Sequence, residues 1–447
     1  MKTKLLLAFF LPIIAFGQTQ LGNQLNNPDE SNTKPSKFGT GVAISNDGSI
    51  IAVGAPGNNE NSFVRVFKYE NNDWQQLGSD IVNESILEKV GSSVSLSADG
   101  LTLAIGAVDG GDLDEGLIRI YQFIDNKWEK TGQIVGDGTQ FYLGYKVILT
   151  PDAKFLAASA YRTNSSKKGT VKVYENISGT WTQRGTNLEG EFTYDAFGFS
   201  IDLSNDGNVL AVANKGRQKV HVYKFNNNDW EQIGEAFTGL TTTTREFISV
   251  SLSSNGNIVS VGSKEGVSVY ENKSGVWSLI GSKINYGSSN SISADGHKIA
   301  ISSPYNYTVR NYIFENNTWS QRGVDVKTWR SSYFGKSLAI SADGDTFIAG
   351  SDSAFPRVYS FNETLLSTNN YLLKTQISLY PNPTKNYFKV DISNSMKLKK
   401  VMIFNTLGKQ LLKSNNSLID ISSFQKGIYF AKIITNKGFI TQKLIKN

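Results

Sequence analysis

FGTGVAISNDGSIIAVGAP, residues 38–56, sets the pattern that most of the chain repeats. The alternation of residue types before Asp47-Gly48 predicts a β-strand that ends in a hairpin turn. The apolar run from Ile50 to Val53 predicts a second strand, buried on both faces. The turn recurs at intervals of about 40 to about 54 residues, at Asp99-Gly100, Asp152-Ala153, Asp206-Gly207, Asn255-Gly256, Asp295-Gly296 and Asp343-Gly344.

Each copy is long enough for four strands. In the first copy, residues 64–69 predict a third strand, Asn71-Asn72-Asp73 a turn, and residues 74–81 a fourth strand. A four-stranded meander with this period is typical of one β-propeller blade. Because such repeats cannot bury their apolar faces one at a time, they must form a single body. We therefore predict an all-β chain in which residues 18–362 form a seven-bladed β-propeller.

Six of the seven tryptophans occupy one register, at the start of the predicted fourth strand: Trp74, Trp128, Trp181, Trp230, Trp277 and Trp319. An aromatic ladder on a surface can bind sugars. The favoured interpretation is structural, with each ring covering the edge of its blade and packing on the next blade. Trp329 lies outside this register.

The seventh copy lacks its Trp strand. Residues 19–25, TQLGNQL, align with residues 74–80 of the first copy, WQQLGSD. The sequence therefore predicts that the N-terminal strand Thr19 to Leu25 is the outer strand of the last blade. Closing the ring in this way removes an open interface at a modest entropic cost.

Composition limits the chemistry of the chain. It has no cysteine, so disulfides, thiolate metal sites and a cysteine nucleophile are excluded. Residues 1–17 have a basic start, an apolar run and small residues at the end, which predicts a signal peptide. No later segment is long and apolar enough to predict a transmembrane helix.

Charge is unevenly distributed. The net charge of +6 divides into +2 for residues 1–17, −6 for residues 18–362 and +10 for residues 363–447. Because the repeat body is acidic, a nucleic-acid partner is not expected.

The letters Phe38-Gly39 and Gly54-Ala55-Pro56 resemble the FG-GAP repeat of integrin α-chain propellers and secreted bacterial proteins. Phe-Gly recurs at residues 197–198 and 334–335, and Gly-Ala at residues 106–107. In that family some blades hold calcium in a loop with three aspartates. The turns here keep one acid each, too few for the six to eight oxygens of calcium. The weak calcium candidate is the loop with Asp109, Asp112 and Asp114; solvated loop acids are the favoured interpretation, and no other cofactor is expected.

Residues 375–447, after a polar linker at 363–374, read as a small β-sandwich of short strands. Four motifs follow in order: YPNPT at 380–384, FNTLGK at 404–409, GIY at 427–429 and a terminal lysine-rich strand with QKLIK at 442–446. In this order they resemble the type A C-terminal sorting domain of the type IX secretion system of Bacteroidetes. The resemblance implies export by that machinery, removal of this domain, and either release of the protein or its attachment to the cell surface. Tyr380, Phe404 and Tyr429 are expected to pack the domain. A sugar-binding or adhesive sandwich remains the alternative. The motif positions are Tyr380, Pro381, Asn382, Pro383, Gly408, Gly427 and Tyr429.

No catalytic residue is assigned. His221 and His297 are the only histidines, and no serine or carboxylate that breaks the repeat accompanies either, so a catalytic triad has no support. Carboxylates on separate blades can still form a glycosidase pair. The expected function is a secreted module that binds a protein or a glycan. The alternatives are a secreted polysaccharide-degrading enzyme and a purely structural surface component. Long loops on one rim would favour binding, and a deep central cleft ringed by acids would favour hydrolysis.

Overall fold

The computed structural model describes residues 18–23, 25, 37–57, 61–138, 141–161, 168–240, 248–328, 333–353, 355–361, 377–392, 397–405, 410–435 and 438–447. The predicted signal peptide and linker, Trp329 and Gly408 lie outside these residues. The chain divides into two compact units at the boundary between residues 361 and 362. Among the described residues, no helix has both the length and the hydropathy needed to cross a bilayer.

The first unit consists of antiparallel strands and one short 3-10 helix, Pro304–Asn306. Its strands are β1 (Thr19–Gln20), β2 (Gly41–Ile44), β3 (Ile50–Ala55), β4 (Phe63–Glu70), β5 (Asp73–Gln76), β6 (Ile81–Val82), β7 (Val90–Leu96), β8 (Thr102–Ala107), β9 (Leu117–Ile124), β10 (Lys127–Val135), β11 (Lys146–Leu149), β12 (Phe155–Ala160), β13 (Thr170–Ile177), β14 (Thr180–Gln183), β15 (Leu188–Glu189), β16 (Phe197–Leu203), β17 (Val209–Asn214), β18 (Lys219–Asn226), β19 (Asp229–Gln232), β20 (Ser249–Leu252), β21 (Ile258–Ser263), β22 (Gly266–Lys273), β23 (Val276–Leu279), β24 (Ser289–Ile292), β25 (Lys298–Ser303), β26 (Thr308–Glu315), β27 (Thr318–Lys327), β28 (Ser337–Ile340), β29 (Thr346–Gly350) and β30 (Arg357–Ser360).

Seven sheets are formed by these described strands, one for each predicted blade. Their first strands contact one another in a closed series, from β2 through β7, β11, β16, β20 and β24 to β28, which contacts β2 again. These first strands therefore form the inner ring of a β-propeller, and the fourth strands lie at its outside. Two short strands, β6 and β15, add a fifth member to the first and third sheets.

The predicted closure by the chain's N-terminal strand is confirmed. β1 pairs antiparallel with β30, so that Thr19 lies opposite Ser360 and Gln20 opposite Tyr359. The next residue, Leu21, donates its N–H to the carbonyl oxygen of Val358 at 2.8 Å, and its side chain is fully buried. The last blade thus takes three strands from one end of the propeller sequence and one from the other.

A ring of backbone hydrogen bonds joins the turns between the first and second strands of neighbouring blades. The residue before each turn acid donates its N–H to the carbonyl of the same position one blade on, at 2.8–3.0 Å. Pro151 accepts such a bond but has no N–H to donate, so one of the seven links is missing. The donor–acceptor pairs are Asn46–Ala98, Ala98–Pro151, Asn205–Ser254, Ser254–Ala294, Ala294–Ala342 and Ala342–Asn46.

The single acid of each turn is used within the turn. In the first blade, Asp47 Oδ1 accepts the hydroxyl of Ser45 at 2.7 Å and the N–H of Ser49 at 3.0 Å. The same pair of bonds recurs at the other turn residues: Asp99, Asp152, Asp206, Asn255, Asp295 and Asp343. An asparagine serves as well as an aspartate because one acceptor oxygen suffices. These turns are local hydrogen-bonded caps.

The tryptophans of the shared register connect the outer strands of adjacent blades. Trp128 donates its indole N–H to the carbonyl oxygen of Leu77 at 2.8 Å, and its ring lies against Gly78. Trp74, Trp230, Trp277 and Trp319 make the same bond. The structural interpretation is confirmed, but the direction is reversed: the tryptophans of this register pack on the preceding blade and not on the next one. A glycine of the preceding blade leaves room for the rings of Trp128, Trp181, Trp230, Trp277 and Trp319.

The second unit contains two sheets that share one apolar core. One sheet has the order β31-β32-β35 and the other β34-β33-β36-β37. Fully buried Phe388, Val401, Ile403 and Leu444 bring both sheets into the core, as in a β-sandwich. The strands are β31 (Ile377–Tyr380), β32 (Tyr387–Ile392), β33 (Leu398–Phe404), β34 (Gln410–Ser414), β35 (Leu418–Asp420), β36 (Gly427–Thr435) and β37 (Gly438–Lys446).

Ala153 is the one non-glycine residue at the left-handed position of the seven turns, with φ of 56°. A side chain in this conformation costs about 1–2 kcal/mol. We expect Ala153→Gly to raise the free energy of unfolding by about 1 kcal/mol, measured by urea denaturation. Ala294→Gly is the matched control: Ala294 is not at a positive φ, so glycine should lower stability there. Destabilisation by both changes would contradict the role assigned to this turn.

Candidate functional site

The two faces of the propeller differ in loop length. One face, which we call the turn face, carries short connections. Five residues join the first and second strands of each blade, and two residues join the third and fourth strands of the first six blades, as between β4 and β5. The opposite face carries the connections between second and third strands and those between blades; we call it the loop face. Its connections include ten residues at 136–145 and sixteen at 233–248, of which 139–140 and 241–247 lie outside the described residues. Binding residues concentrate on such long loops above a rigid scaffold.

A cleft of about 340 Å³ opens on the loop face between the fifth and sixth blades. Three connections build it: 264–265, 280–288 and the 3-10 helix Pro304–Asn306 with its flanks. The side chains that give the cleft its chemistry are Lys264, Glu265, Asn285, Tyr286, Tyr305 and Asn306. The wall thus combines aromatic rings, amides and one charge of each sign.

Tyr286 is the fixed part of this wall. Its hydroxyl donates to the carbonyl oxygen of Thr308 at 3.0 Å, and the guanidinium carbon of Arg310 lies 4.0 Å from its ring centre. Burial raises the pKa of Tyr286, so the phenol stays protonated at neutral pH. Arg310 is held in turn by a two-bond ion pair with Asp325. The ring is therefore a preorganised surface for a ligand.

The other side chains of the cleft are more accessible. Asn285 and Asn306 are exposed, and the half-buried ring of Tyr305 stands edge-on to Tyr333, with centroids 5.5 Å apart. Glu265 pairs with Lys283 at 3.0 Å. The accessible groups therefore offer an aromatic face and amide donors and acceptors, which suit a neutral ligand rich in hydroxyls.

The calcium candidates are not brought together as a metal site. Asp109 forms an ion pair with Lys89. Asp114 lies in the left-handed region with φ of 58°. Across the described residues, no group of three or more Asp, Glu, His or Cys side chains has the arrangement of a metal site. Asp109, Asp112 and Asp114 stay a weak calcium candidate, and solvated loop acids stay the favoured prediction for them.

The two histidines lie apart on different blades. His221, in β18, has its Nδ1 atom 3.0 Å from the side-chain oxygen of Gln232. The same third-strand position holds Arg65 and Arg310 in other blades, where they pair with Asp80 and Asp325. His221 is therefore one member of a row of side chains that tie the third strand to the outer edge. His297 is exposed on the turn face beside Phe314.

The motif of the second unit holds the terminal strand. Asn382 donates its side-chain amide to the carbonyl of Lys443 at 2.7 Å and accepts the N–H of Ile445 at 2.8 Å. It lies between Pro381 and Pro383, which have no N–H of their own. Tyr429 is buried, and its hydroxyl donates to the carbonyl of Gln425 at 2.8 Å. Gly427 opens β36 with φ of 156°.

Tyr380 differs from expectation. Its side chain is 72% exposed, because Ser378 and Tyr380 point away from the core while Ile377 and Leu379 face it. The packing role predicted for this residue is therefore wrong, whereas the one predicted for Tyr429 is confirmed.

Comparison with known families identifies the second unit. Residues 378–447 match the model described as a secretion system C-terminal sorting domain. This domain implies handling by the type IX secretion machinery and export from the cell or to its surface.

Comparison with solved structures agrees with the propeller fold. The chain is similar to the β-propeller domain of Cps50 (Swd1) from Myceliophteria thermophila, with a TM-score of 0.54 and 12% identity over 77% of this chain and 99% of that chain. At this identity the likeness shows the fold alone. Among curated proteins, none matches the chain.

Sequence reasoning missed the cleft residues. The available signal was local: Asn285-Tyr286 and Pro304-Tyr305-Asn306 interrupt two connections with aromatic and amide side chains. The two segments meet because of how the sixth blade is placed in the ring. The connection that leads into this blade, residues 280–288, lies beside the connection between its second and third strands.

In each blade, residues of the first strand pair with residues of the second strand. Among these paired first-strand residues, two are ionisable: Asp202 and Lys146. Burial raises the pKa of Asp202 to about 6, offset in part by bonds from the N–H groups of Leu252 and Leu203 and the hydroxyl of Ser251. In the same position, Ser95 accepts the N–H of Leu149 of the next blade. A serine at position 202 would therefore retain the contact with Leu252 and remove the charge.

We expect Asp202→Ser to remove a pH dependence of stability. Because the folded pKa is raised, the contribution of Asp202 is fully present below about pH 4 and is lost as the pH rises through 6. From pH 4 to pH 7, the unfolding free energy of the wild type should fall relative to the variant by on the order of 3 kcal/mol. Urea denaturation at each pH measures this difference.

Asp206→Asn is the matched control, since Asn255 occupies the same turn position in the fifth blade. The pKa of Asp206 is lowered by its hydrogen bonds, despite some burial. Asp206 therefore stabilises the folded state above pH 4, and this stabilisation is lost on acidification. The pH dependence of stability caused by Asp206 thus has the opposite sign to that caused by Asp202. A flat difference between wild type and Asp202→Ser across this range would refute the role of Asp202.

Proposed function

We propose that the chain is an exported binding module whose propeller recognises an extracellular ligand on its loop face, with a neutral glycan as the favoured ligand of the cleft between blades five and six. The observation that carries this proposal is the convergence of Tyr286, Tyr305, Asn285 and Asn306 in one cleft on the face with the long connections. Sugar rings stack on aromatic side chains, and amides bond the hydroxyls in both directions. A protein ligand is the alternative.

We assign the blades to the FG-GAP-like type and the chain's source to the Bacteroidetes. The Phe-Gly steps support the first assignment. Gly39, Gly198 and Gly335 all have positive φ, and a Cβ on Gly39 would lie 2.8 Å from the carbonyl oxygen of Ser351 in the last blade. Glycine at this step therefore serves both the backbone conformation and the approach of the neighbouring blade.

The number of carboxylates in the cleft favours binding over hydrolysis. Glycoside hydrolysis ordinarily needs two carboxyl groups that flank the bond. The cleft wall offers one, Glu265, which is engaged by Lys283. Long loops on one face, the feature that discriminates in favour of a binding module, are also present.

The binding proposal is tested on an array of neutral oligosaccharides with the purified chain, followed by calorimetry on any oligosaccharide retained. Tyr305→Ala and Asn285→Ala should each weaken binding about tenfold or more, which corresponds to about 1.4 kcal/mol. Thr180→Ala, an exposed change on the turn face, is the control and should leave affinity unchanged. Retention of no neutral oligosaccharide, or equal binding by all three variants, would rule out this function for the cleft.

Export is tested by deletion of residues 375–447 and by Asn382→Ala in the intact chain. The truncated protein should remain in the periplasm as an acidic propeller, with net charge near −6. Asn382→Ala should reduce secretion because it releases the terminal strand, whereas the exposed control Asn416→Ala should not. Immunoblots of periplasm and medium measure both. A truncated protein in the medium, or an extracellular form that retains Lys446, would disprove a cleaved sorting signal.

A further inference from the structure

One position of the inner ring carries small residues in six blades. Register across the first two strands places these residues in one column: Gly41, Ser93, Lys146, Ser200, Ser249, Ser289 and Ser337. Three of the serines donate their hydroxyls to a backbone carbonyl of the next blade, at 2.8 Å for Ser93, 2.6 Å for Ser249 and 2.5 Å for Ser337. Lys146 stands where such a serine is expected.

The ammonium group of Lys146 makes no hydrogen bond or ion pair within the described part of the chain. Its side chain is half-buried, and its Nζ lies 5.7 Å from the ring centre of Tyr145. Strands β7, β8, β12 and β16 pack against β11 and bring one ionisable group, Asp202. The oxygens of Asp202 are already occupied by Leu203, Ser251 and Leu252. The ammonium of Lys146 therefore has no counter-ion on the neighbouring strands.

The charges that act on Lys146 come from the seventh blade. Lys336 and Asp352 both affect its ionisation, and they form an ion pair with each other. Asp352 also accepts the hydroxyl of Thr40 at 3.1 Å. Because the third and seventh blades are not neighbours in the ring, these charges act on Lys146 across the centre of the ring. Burial, and then the repulsion by Lys336, lower the pKa of Lys146 to about 8.

The three groups lie at one end of the channel. Lys146 is the first residue of β11, Lys336 immediately precedes β28 and Asp352 follows β29, so all belong to the loop face. A further cation approaches from the fourth blade: Lys215 has its Nζ 4.6 Å from the ring centre of Phe199, and that ring lies 5.9 Å from Tyr145. Tyr161 completes this aromatic group, with its ring centre 3.8 Å from that of Tyr145 and 5.8 Å from that of Phe199. Among the described residues, the channel mouth thus has three lysines, one carboxylate already paired, and three aromatic rings.

We propose that this channel mouth is a binding site for an oxyanion, a carboxylate or sulfate group of an acidic glycan, and that Lys146 is the cation that contacts it. A compact oxyanion supplies the counter-ion that the described residues do not provide, and it accepts up to three hydrogen bonds from the ammonium. The assignment of the oxyanion to a glycan rests on the proposed function, since the cleft proposed to bind a neutral glycan lies on the same face. The anion site itself rests only on the channel geometry.

The unfolding temperature of a Lys146 variant distinguishes a binding role for this lysine from a structural one. Lys146→Ser restores the residue that most blades have at this position and removes a half-buried charge without a partner. The variant should unfold at a higher temperature than the wild type at pH 7, in buffer free of sulfate and carboxylate. Lys127→Ser, an exposed change on the turn face, is the control. A lower unfolding temperature for Lys146→Ser would show that the lysine supports the fold, and would overturn the proposal.

Anion contact is measured at Lys146 itself. In the full chain, the rate of acetylation of Lys146 by acetic anhydride, followed by peptide mass spectrometry, should rise with a midpoint near pH 8. Sulfate or galacturonate at constant ionic strength should protect Lys146 in a saturable way and raise that midpoint, with Lys127 unaffected. Equal protection of both lysines, or none at Lys146, would overturn the site.

Three polymers identify the source of the oxyanion: polygalacturonate, dextran sulfate and poly-glutamate, tested by calorimetry. We expect one of the two polysaccharides to bind the wild type at least tenfold more tightly than Lys146→Ser. Binding of poly-glutamate alone would overturn the glycan source. The neutral array and its Tyr305→Ala variant are independent of Lys146, so failure of the cleft proposal and failure of this one are distinguishable.

Discussion

The hydrogen bonding of each blade is completed by its neighbours, and the rest of the propeller depends on that constraint. The inner strand of a blade has an edge that no strand of the same sheet covers. Backbone bonds between successive turns, and serine or aspartate side chains from the blade before it, satisfy that edge. A buried N–H without a partner costs about 1–3 kcal/mol, so an open ring would leave several such costs at its two ends. The strand Thr19–Gln20 closes the outer part of the last blade for the same reason.

Much of the fold could be predicted because its determinants are local. Asp47-Gly48 and its repeats specify a turn within five residues, and the tryptophan register marks each outer strand. What local patterns cannot give is the neighbour on which a side chain packs. Trp128 packs on Leu77 and Gly78 of the preceding blade, and no feature of the tryptophan segment itself fixes that direction. The exposure of Tyr380 was missed for a related reason: an alternating strand has two faces, and the motif does not say which residue faces the core.

The site was less predictable than the fold because it is built from segments far apart in sequence. Asn285 and Tyr305 belong to different connections, and Lys146 and Lys336 belong to blades three and seven. Their proximity follows only from the closed ring with its blades in register. Aligning the first strands by their pairing partners makes Lys146 and Asp202 stand out, because the other residues in these columns are small or apolar. The repeat thus becomes informative about function once its register is known.

Asp202 and Lys146 show how a departure from the repeat can be judged. Asp202 has the same role in the fourth blade as Ser95 has in the second. Each side chain accepts a backbone N–H from the first strand of the following blade. The charge of Asp202 is unnecessary for that role, but its oxygens are used. Lys146 replaces a hydroxyl that donates to a neighbouring blade, and its ammonium contacts no acceptor among the described residues. A side chain that bonds to none of the described residues and carries a half-buried charge weakens the folded state. Such a cost at the loop-face mouth of the channel is consistent with a side chain kept for a ligand rather than for the propeller.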